Sequence, residues 1–147
     1  MHDRVIVLVE DNANDEELAL RAFRKSNIMN RVAVVRDGAE ALDYFFRRGA
    51  HAGRPASEMI QVVLLDLKLP KVDGLDVLRA LRADERTRLI PVVILTSSAE
   101  DQDLVRGYGL GANSYVRKPV DFNQFIEAVR QLGLYWLVIN QAAPSDG

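Results

Sequence analysis

The chain contains no cysteine, which removes disulfides, thiolate metal sites and thiol nucleophiles together. Histidine is nearly as scarce. Only His2 and His51 occur, one at the N-terminal tip and one in an expected loop, so neither a histidine-based triad nor a zinc centre is expected. There is no basic run, and the net charge is −2, which leaves no electrostatic footprint for nucleic acid or an anionic membrane. Apolar stretches stay short of the roughly 18 residues of a membrane span. The N-terminus, M-H-D-R-V-I-V-L-V-E-D, lacks the apolar core and small-residue cleavage site of a secretion signal. Internal repeats and low-complexity segments are missing too. These absences read as a cytoplasmic protein, and 147 residues suit one domain with a full core.

What is present is a set of short apolar runs that end in polar residues. Val62, Val63, Leu64 and Leu65 form a continuous run, as expected of a strand buried on both faces of a parallel sheet. It stops at Asp66, followed by the loop L-K-L-P-K-V-D and Gly74, with Asp73 suited to cap the next helix. Alone, Asp66 is equally a strand-end turn residue or a ligand-site carboxylate, since open α/β sheets bind ligands at the carboxyl ends of their strands. Residues 4–9 form a second run, ending in Glu10 and Asp11. Asn14 is expected to cap the following helix, whose first-turn acids Asp15, Glu16 and Glu17 suit the positive end of its dipole. Residues 31–36 give another strand, and Asp37-Gly38 opens a helix that Gly49 closes. Residues 50–58 read as a surface loop with His51 solvated.

The helix from Gly74 to about Asp84 buries Leu75, Leu78 and Leu81 and leaves Arg79 and Arg82 outside. Residues 90–95 are the fourth strand, running into Thr96-Ser97-Ser98. A marginal helix follows from Glu100 to about Leu110, weakened by Gly107 and Gly109. Residues 114–116 form a short fifth strand before Lys118-Pro119, a bond open to the cis form. Asp121 caps the last helix, and residues 141–147 read as a disordered tail after a domain spanning 1–140. Five strands alternating with five helices imply an α/β fold, a parallel sheet covered on both faces.

Such a sheet collects its strand-end residues at one edge: Glu10, Asp11, Asp66, Thr96 and Lys118. Three neighbouring carboxylates repel one another unless a cation intervenes. An all-oxygen donor set that keeps several waters suits magnesium better than zinc. With a lysine and a hydroxyl beside it, the cluster suits a phosphoryl group on Asp66. The alternative is five unrelated strand-end polar residues, and the joint occurrence argues against it.

The motifs V-L-V-E-D-N, L-L-D-L-K-L-P-K-V-D-G, V-V-I-L-T-S-S and G-A-N-S-Y-V-R-K-P resemble the receiver domain of two-component response regulators, over about residues 4 to 132. The resemblance implies a flavodoxin-like sheet of order 2-1-3-4-5. It implies Asp66 as acceptor of a phosphoryl group from a sensor histidine kinase. Magnesium would be held by Asp11, Asp66 and the backbone carbonyl of Lys68, with Glu10 acting through water. Thr96 and Lys118 would contact the phosphoryl group, and Tyr115 would be the aromatic switch that turns inward as Thr96 moves. Tyr115 is otherwise a half-buried aromatic of an edge strand. The Lys68 side chain either covers the phosphoryl group or is solvated.

L-V-E-D-N-x-x-D, the loop at 50–58, L-T-S-S and the Tyr135-Trp136 pair are similar to the subgroup that serves bacterial phytochromes. That likeness implies a bacteriophytochrome kinase as partner and a homodimer. Residues 135–139 either pack on the chain's own sheet edge or bury against a second copy. The expected function is that of a stand-alone regulator, not an enzyme beyond its own phosphorylation and dephosphorylation. Among the rivals, a haloacid-dehalogenase-type aspartyl phosphatase needs a second acid where Lys68 stands. A flavodoxin-like binding module needs a phosphate loop where Glu10-Asp11-Asn12 is acidic. A degenerate receiver serving only as a dimeric scaffold does not require the full set of site residues. The kinase, the downstream target and the phosphoryl lifetime are not legible in the sequence.

Overall fold

The computed structural model describes residues 3–25, 30–55, 57–96, 109 and 111–131. Five strands run β1 (Asp3–Val9), β2 (Arg31–Val35), β3 (Glu58–Asp66), β4 (Val92–Thr96) and β5 (Ser114–Arg117). The helices are α1 (Ala13–Lys25), α2 (Gly38–Phe46), α3 (Gly74–Ala83) and α4 (Phe122–Gln131), with a 3-10 turn at Gly49–His51. Every strand pairing is parallel, and the order is β2-β1-β3-β4-β5. The sequence reading expected this topology. The marginal helix expected from Glu100, the terminal aromatic pair and the tail lie outside the described residues.

Alternation of side chains along the strands divides the core in two. Val5, Val7, Val9, Val63 and Leu65 face α2 and α3, where Ala41, Phe45, Val77, Leu78 and Leu81 meet them. Ile6, Leu8, Val62, Leu64, Val93 and Leu95 face α1 and α4, meeting Ala19, Ala22, Phe23, Phe125 and Ala128. Both faces are therefore dry, which is why the central strands are apolar without a break.

Each helix begins just past a strand's carboxyl end, and four side chains cap these starts. Asn12 Oδ1 accepts from Asp15 N at 2.9 Å, Asp37 Oδ1 from Glu40 N at 2.7 Å, Asp73 Oδ1 from Asp76 N at 3.0 Å and Asp121 Oδ1 from Gln124 N at 2.8 Å. The first cap is Asn12, not Asn14. The helix starts at Ala13, so the carboxamide three residues before the Asp15 amide is the one in reach.

Other expectations are also corrected. Helix α2 ends at Phe46 rather than Gly49, because Arg47 itself takes the left-handed cap (φ 53°). The Arg47 guanidinium is then held by the carbonyls of Arg54 (3.2 Å) and Pro55 (3.2 Å). His51 is half-buried, with Nε2 3.1 Å from Glu40 Oε2 and its ring edge-on to Tyr44 at 5.1 Å. Strand β3 starts at Glu58, inside the expected loop, since the buried Glu58 carboxylate is matched by Arg31, Arg54 and Tyr44. Arg82 is not a solvated outer residue. Its guanidinium donates to the carbonyls of Arg88 (3.0 Å), Ile90 (2.9 Å) and Gly111 (2.9 Å) and to Asn113 Oδ1 (3.0 Å), which ties α3 to the entry of β4 and to the entry of β5. The Lys118-Pro119 bond is cis.

The β3–α3 loop is held by close backbone approaches. Gly38 N donates to Pro70 O at 3.2 Å, and a Cβ on Gly38 would lie 1.7 Å from Val72 O. A Cβ on Gly74 would lie 2.4 Å from Asp66 O and 2.5 Å from Leu67 Cα. Backbone cannot rotate aside as a flexible side chain can. Gly38→Ala is therefore expected to lose about 1–3 kcal/mol of unfolding free energy, read from urea melts. A melt superimposable on wild type would contradict the packing described.

Candidate functional site

The strand register assembles the site. Val9 sits beside Leu65, so the next residues, Glu10 and Asp66, emerge side by side. Asp66 is level with Leu95, so Thr96 lies one step beyond it; Thr96 is level with Arg117, so Lys118 follows. Lys118 N donates to Thr96 O at 2.7 Å, which extends the pairing past the end of β5.

Three carboxylates converge there on one ammonium, and a fourth, Asp11, stands beside them. Lys118 Nζ is 2.9 Å from Asp66 Oδ2, 2.9 Å from Asp15 Oδ2 and 3.3 Å from Glu10 Oε1. Asp11 is exposed at the rim, and Glu10, Asp11 and Asp66 each offer an oxygen within 4.8 Å of the others. Asp66 Oδ1 accepts from Lys68 N at 3.0 Å, and Glu10 Oε2 accepts from Asn12 N at 3.2 Å. The Lys68 residue itself is exposed. Thr96 is fully buried, and its Oγ1 has no hydrogen-bond partner among the described residues. Tyr115 is half-buried and packs on the core face that α2 and α3 cover.

The electrostatics follow from burial. The Glu10 carboxyl is pushed up to about 7, first by desolvation and then by the neighbouring charge of Asp66. Burial of Lys118 works to lower its pKa, but hydrogen bonds to Asp66 and Asp15 outweigh it, and the ammonium is held above its usual range. One lysine does not balance four carboxylates. The donor set around the gap, three carboxylates with mutually close oxygens, is all-oxygen and fits a hard divalent cation.

The residues named from the sequence at the strand ends are thus brought to one edge: Glu10, Asp11, Asp66, Thr96 and Lys118. Asp15 reads from the sequence as a helix-dipole residue and as the last position of L-V-E-D-N-x-x-D, not as a partner of Lys118. Its signal was the spacing E-D-N-x-x-D, which places an acid on the first turn of α1, above the strand end.

A doubly wound parallel sheet with an acidic, lysine-bearing site at its carboxyl edge defines the class. The family model of the response regulator receiver domain matches residues 6–130, and the chain belongs to that family. Receivers of this family take a phosphoryl group from histidine kinases and bind a divalent metal. Among solved structures, the bacteriophytochrome response regulator RtBRR is 51% identical, with a TM-score of 0.88, covering 98% of this chain and 86% of that one. The Mn2+-bound form of response regulator Rcp1 is 32% identical, with a TM-score of 0.72, over 90% of this chain and 94% of that one. Among curated relatives, the probable methanogenesis regulatory protein FilR2 of Methanothrix harundinacea is 44% identical over 138 residues, 94% of this chain and 86% of FilR2.

Proposed function

We propose that Asp66 accepts a phosphoryl group from a sensor histidine kinase of the bacteriophytochrome kind and that the protein signals through the resulting change in surface. A carboxylate oxygen of Asp66 attacks phosphorus, the phosphorus–nitrogen bond of the phosphohistidine breaks, and the imidazole leaves with the bonding pair. The carboxylate becomes an acyl phosphate. One observation carries the reading: Lys118 lies 2.9 Å from Asp66 while the neighbouring strand ends in a buried Thr96 hydroxyl that has no partner among the described residues. Leaving a buried hydroxyl without an acceptor costs about 1–3 kcal/mol. An oxygen of a phosphoryl group on Asp66 is the acceptor such a hydroxyl lacks.

Magnesium fits the acidic group. Glu10, Asp11, Asp66 and the Lys68 carbonyl would hold it, and it would supply charge neutralisation for the transferring group. Lys118 keeps its ammonium close to the acceptor oxygen, and Thr96 donates once the phosphoryl group is present. Tyr115 then follows Thr96 inward, and a dimer surface changes as output. The choice of kinase is supported by the likeness to RtBRR, and the metal by the Mn2+ in the Rcp1 relative.

Intact mass after incubation with a phosphorylated bacteriophytochrome kinase and magnesium tests the reading. One added phosphoryl group that disappears with chelator is the expected result. No uptake from that kinase or from acetyl phosphate would overturn it.

A further inference from the structure

Asp15 stands apart from the other carboxylates around Lys118. Glu10 and Asp66 belong to the group whose oxygens suit a cation, whereas Asp15 does not. It reaches Lys118 from the first turn of α1, where the Asn12 carboxamide pins its amide at 2.9 Å. Its Oδ2 lies 2.9 Å from Lys118 Nζ, the same distance as Asp66 Oδ2 on the other side. An ammonium has three donors. With Asp15, Asp66 and Glu10 all in contact, Lys118 has none left for a new oxygen.

We infer that Asp15 is a positioning residue that restrains phosphorylation, by occupying Lys118 and by setting a negative charge beside the path of the incoming phosphoryl group. This inference rests on the assignment of Asp66 as acceptor. Glu10, Asp11 and Asp66 would hold a cation, whereas Asp15 lies outside that group and would keep its hold on the lysine. A phosphoryl oxygen must then displace it. The same carboxylate sits within two hydrogen-bond lengths of Asp66, where it repels a dianion. Both effects act in one direction: a neutral side chain at 15 releases a lysine donor and removes a like charge. Side chains of Lys118 and Asp15 are 17% and 26% exposed, so solvent screens the pair only partly.

The test compares Asp15→Asn and Asp15→Glu with wild type, using acetyl phosphate and magnesium with intact mass as the clock. Asp15→Asn is expected to be phosphorylated faster, on the order of tenfold, and Asp15→Glu to stay near the wild-type rate. A second readout needs neither metal nor phosphate: the Lys118 Nζ resonance of metal-free protein by 15N NMR. It is expected to move with Asp15→Asn and to hold with Asp15→Glu. An Asp15→Asn rate equal to or below wild type overturns the inference, as does an unmoved Nζ resonance. If wild type itself takes no phosphoryl group from any donor, the acceptor assignment fails and the restraint on phosphorylation falls with it, even where the resonance shows that the ion pair exists.

Discussion

Asp66→Asn is expected to abolish phosphoryl uptake from kinase and from acetyl phosphate alike, with no loss of fold. The amide is close in shape to the carboxylate but lacks its charge and its nucleophilic oxygen pair. Lys118 would face a neutral group on that side and keep Asp15 and Glu10. Stability argues for the second half of the expectation. Asp66 is one of the causes that push the Glu10 carboxyl up to about 7, so its charge works against Glu10 in the folded state. Neutralising Asp66 removes that repulsion. The variant should therefore melt at or above the wild-type temperature while showing no mass increase. A phosphorylated Asp66→Asn protein would move the acceptor elsewhere. A strongly destabilised one would mean that the Lys118–Asp66 pair is worth more to the fold than the carboxylate repulsion costs.

At the opposite edge of the sheet, Glu58→Ala is expected to cost about 3–5 kcal/mol, the range for removing one partner of a buried ion pair. Glu58 is buried at the start of β3 and accepts from Tyr44 Oη at 2.7 Å and from Arg54 Nη1 at 3.0 Å, with Arg31 on its second oxygen. The Arg54 side chain is only 6% exposed, and its guanidinium lies over the Tyr44 ring at 4.6 Å. Alanine would leave that cation buried beside an unpaired phenol. Arg31, more than half exposed, would turn to solvent at little cost. Urea melts decide the matter: a loss below about 1 kcal/mol, the worth of an exposed pair, would show that Arg54 escapes to water. Phosphorylation of Asp66 should survive the substitution at temperatures where the variant is folded, since the cluster sits at the other end of β3.

The legibility of these two sites differs for a physical reason. The carboxyl edge of the sheet is built of residues that each terminate an apolar run, so a strand-by-strand reading reaches Glu10, Asp66 and Thr96 without knowledge of the pairing. The Glu58 cluster is hidden because its polar members interrupt the pattern used to find strands. Glu58 is buried at the start of β3, yet it reads as loop, and the buried Gln61 falls outside the apolar run at 62–65. Arg82 misled in the same way: its position on α3 marks an outer face, while its length lets it reach four acceptors on other elements. Only the folded chain shows which long side chain has a partner.

The sequence by itself determined the sheet, because runs such as Val62–Leu65 can be satisfied only by burial on both faces, and the alternation of such runs with amphipathic helices leaves a parallel arrangement. It determined the residue types at the strand ends as well. Tertiary structure decided their company. The register that sets Val9 beside Leu65 and Thr96 beside Arg117 turns separate strand ends into one charged cluster. The first turn of α1 brings Asp15 onto Lys118 from more than a hundred residues away, a contact of two charges that no local pattern encodes.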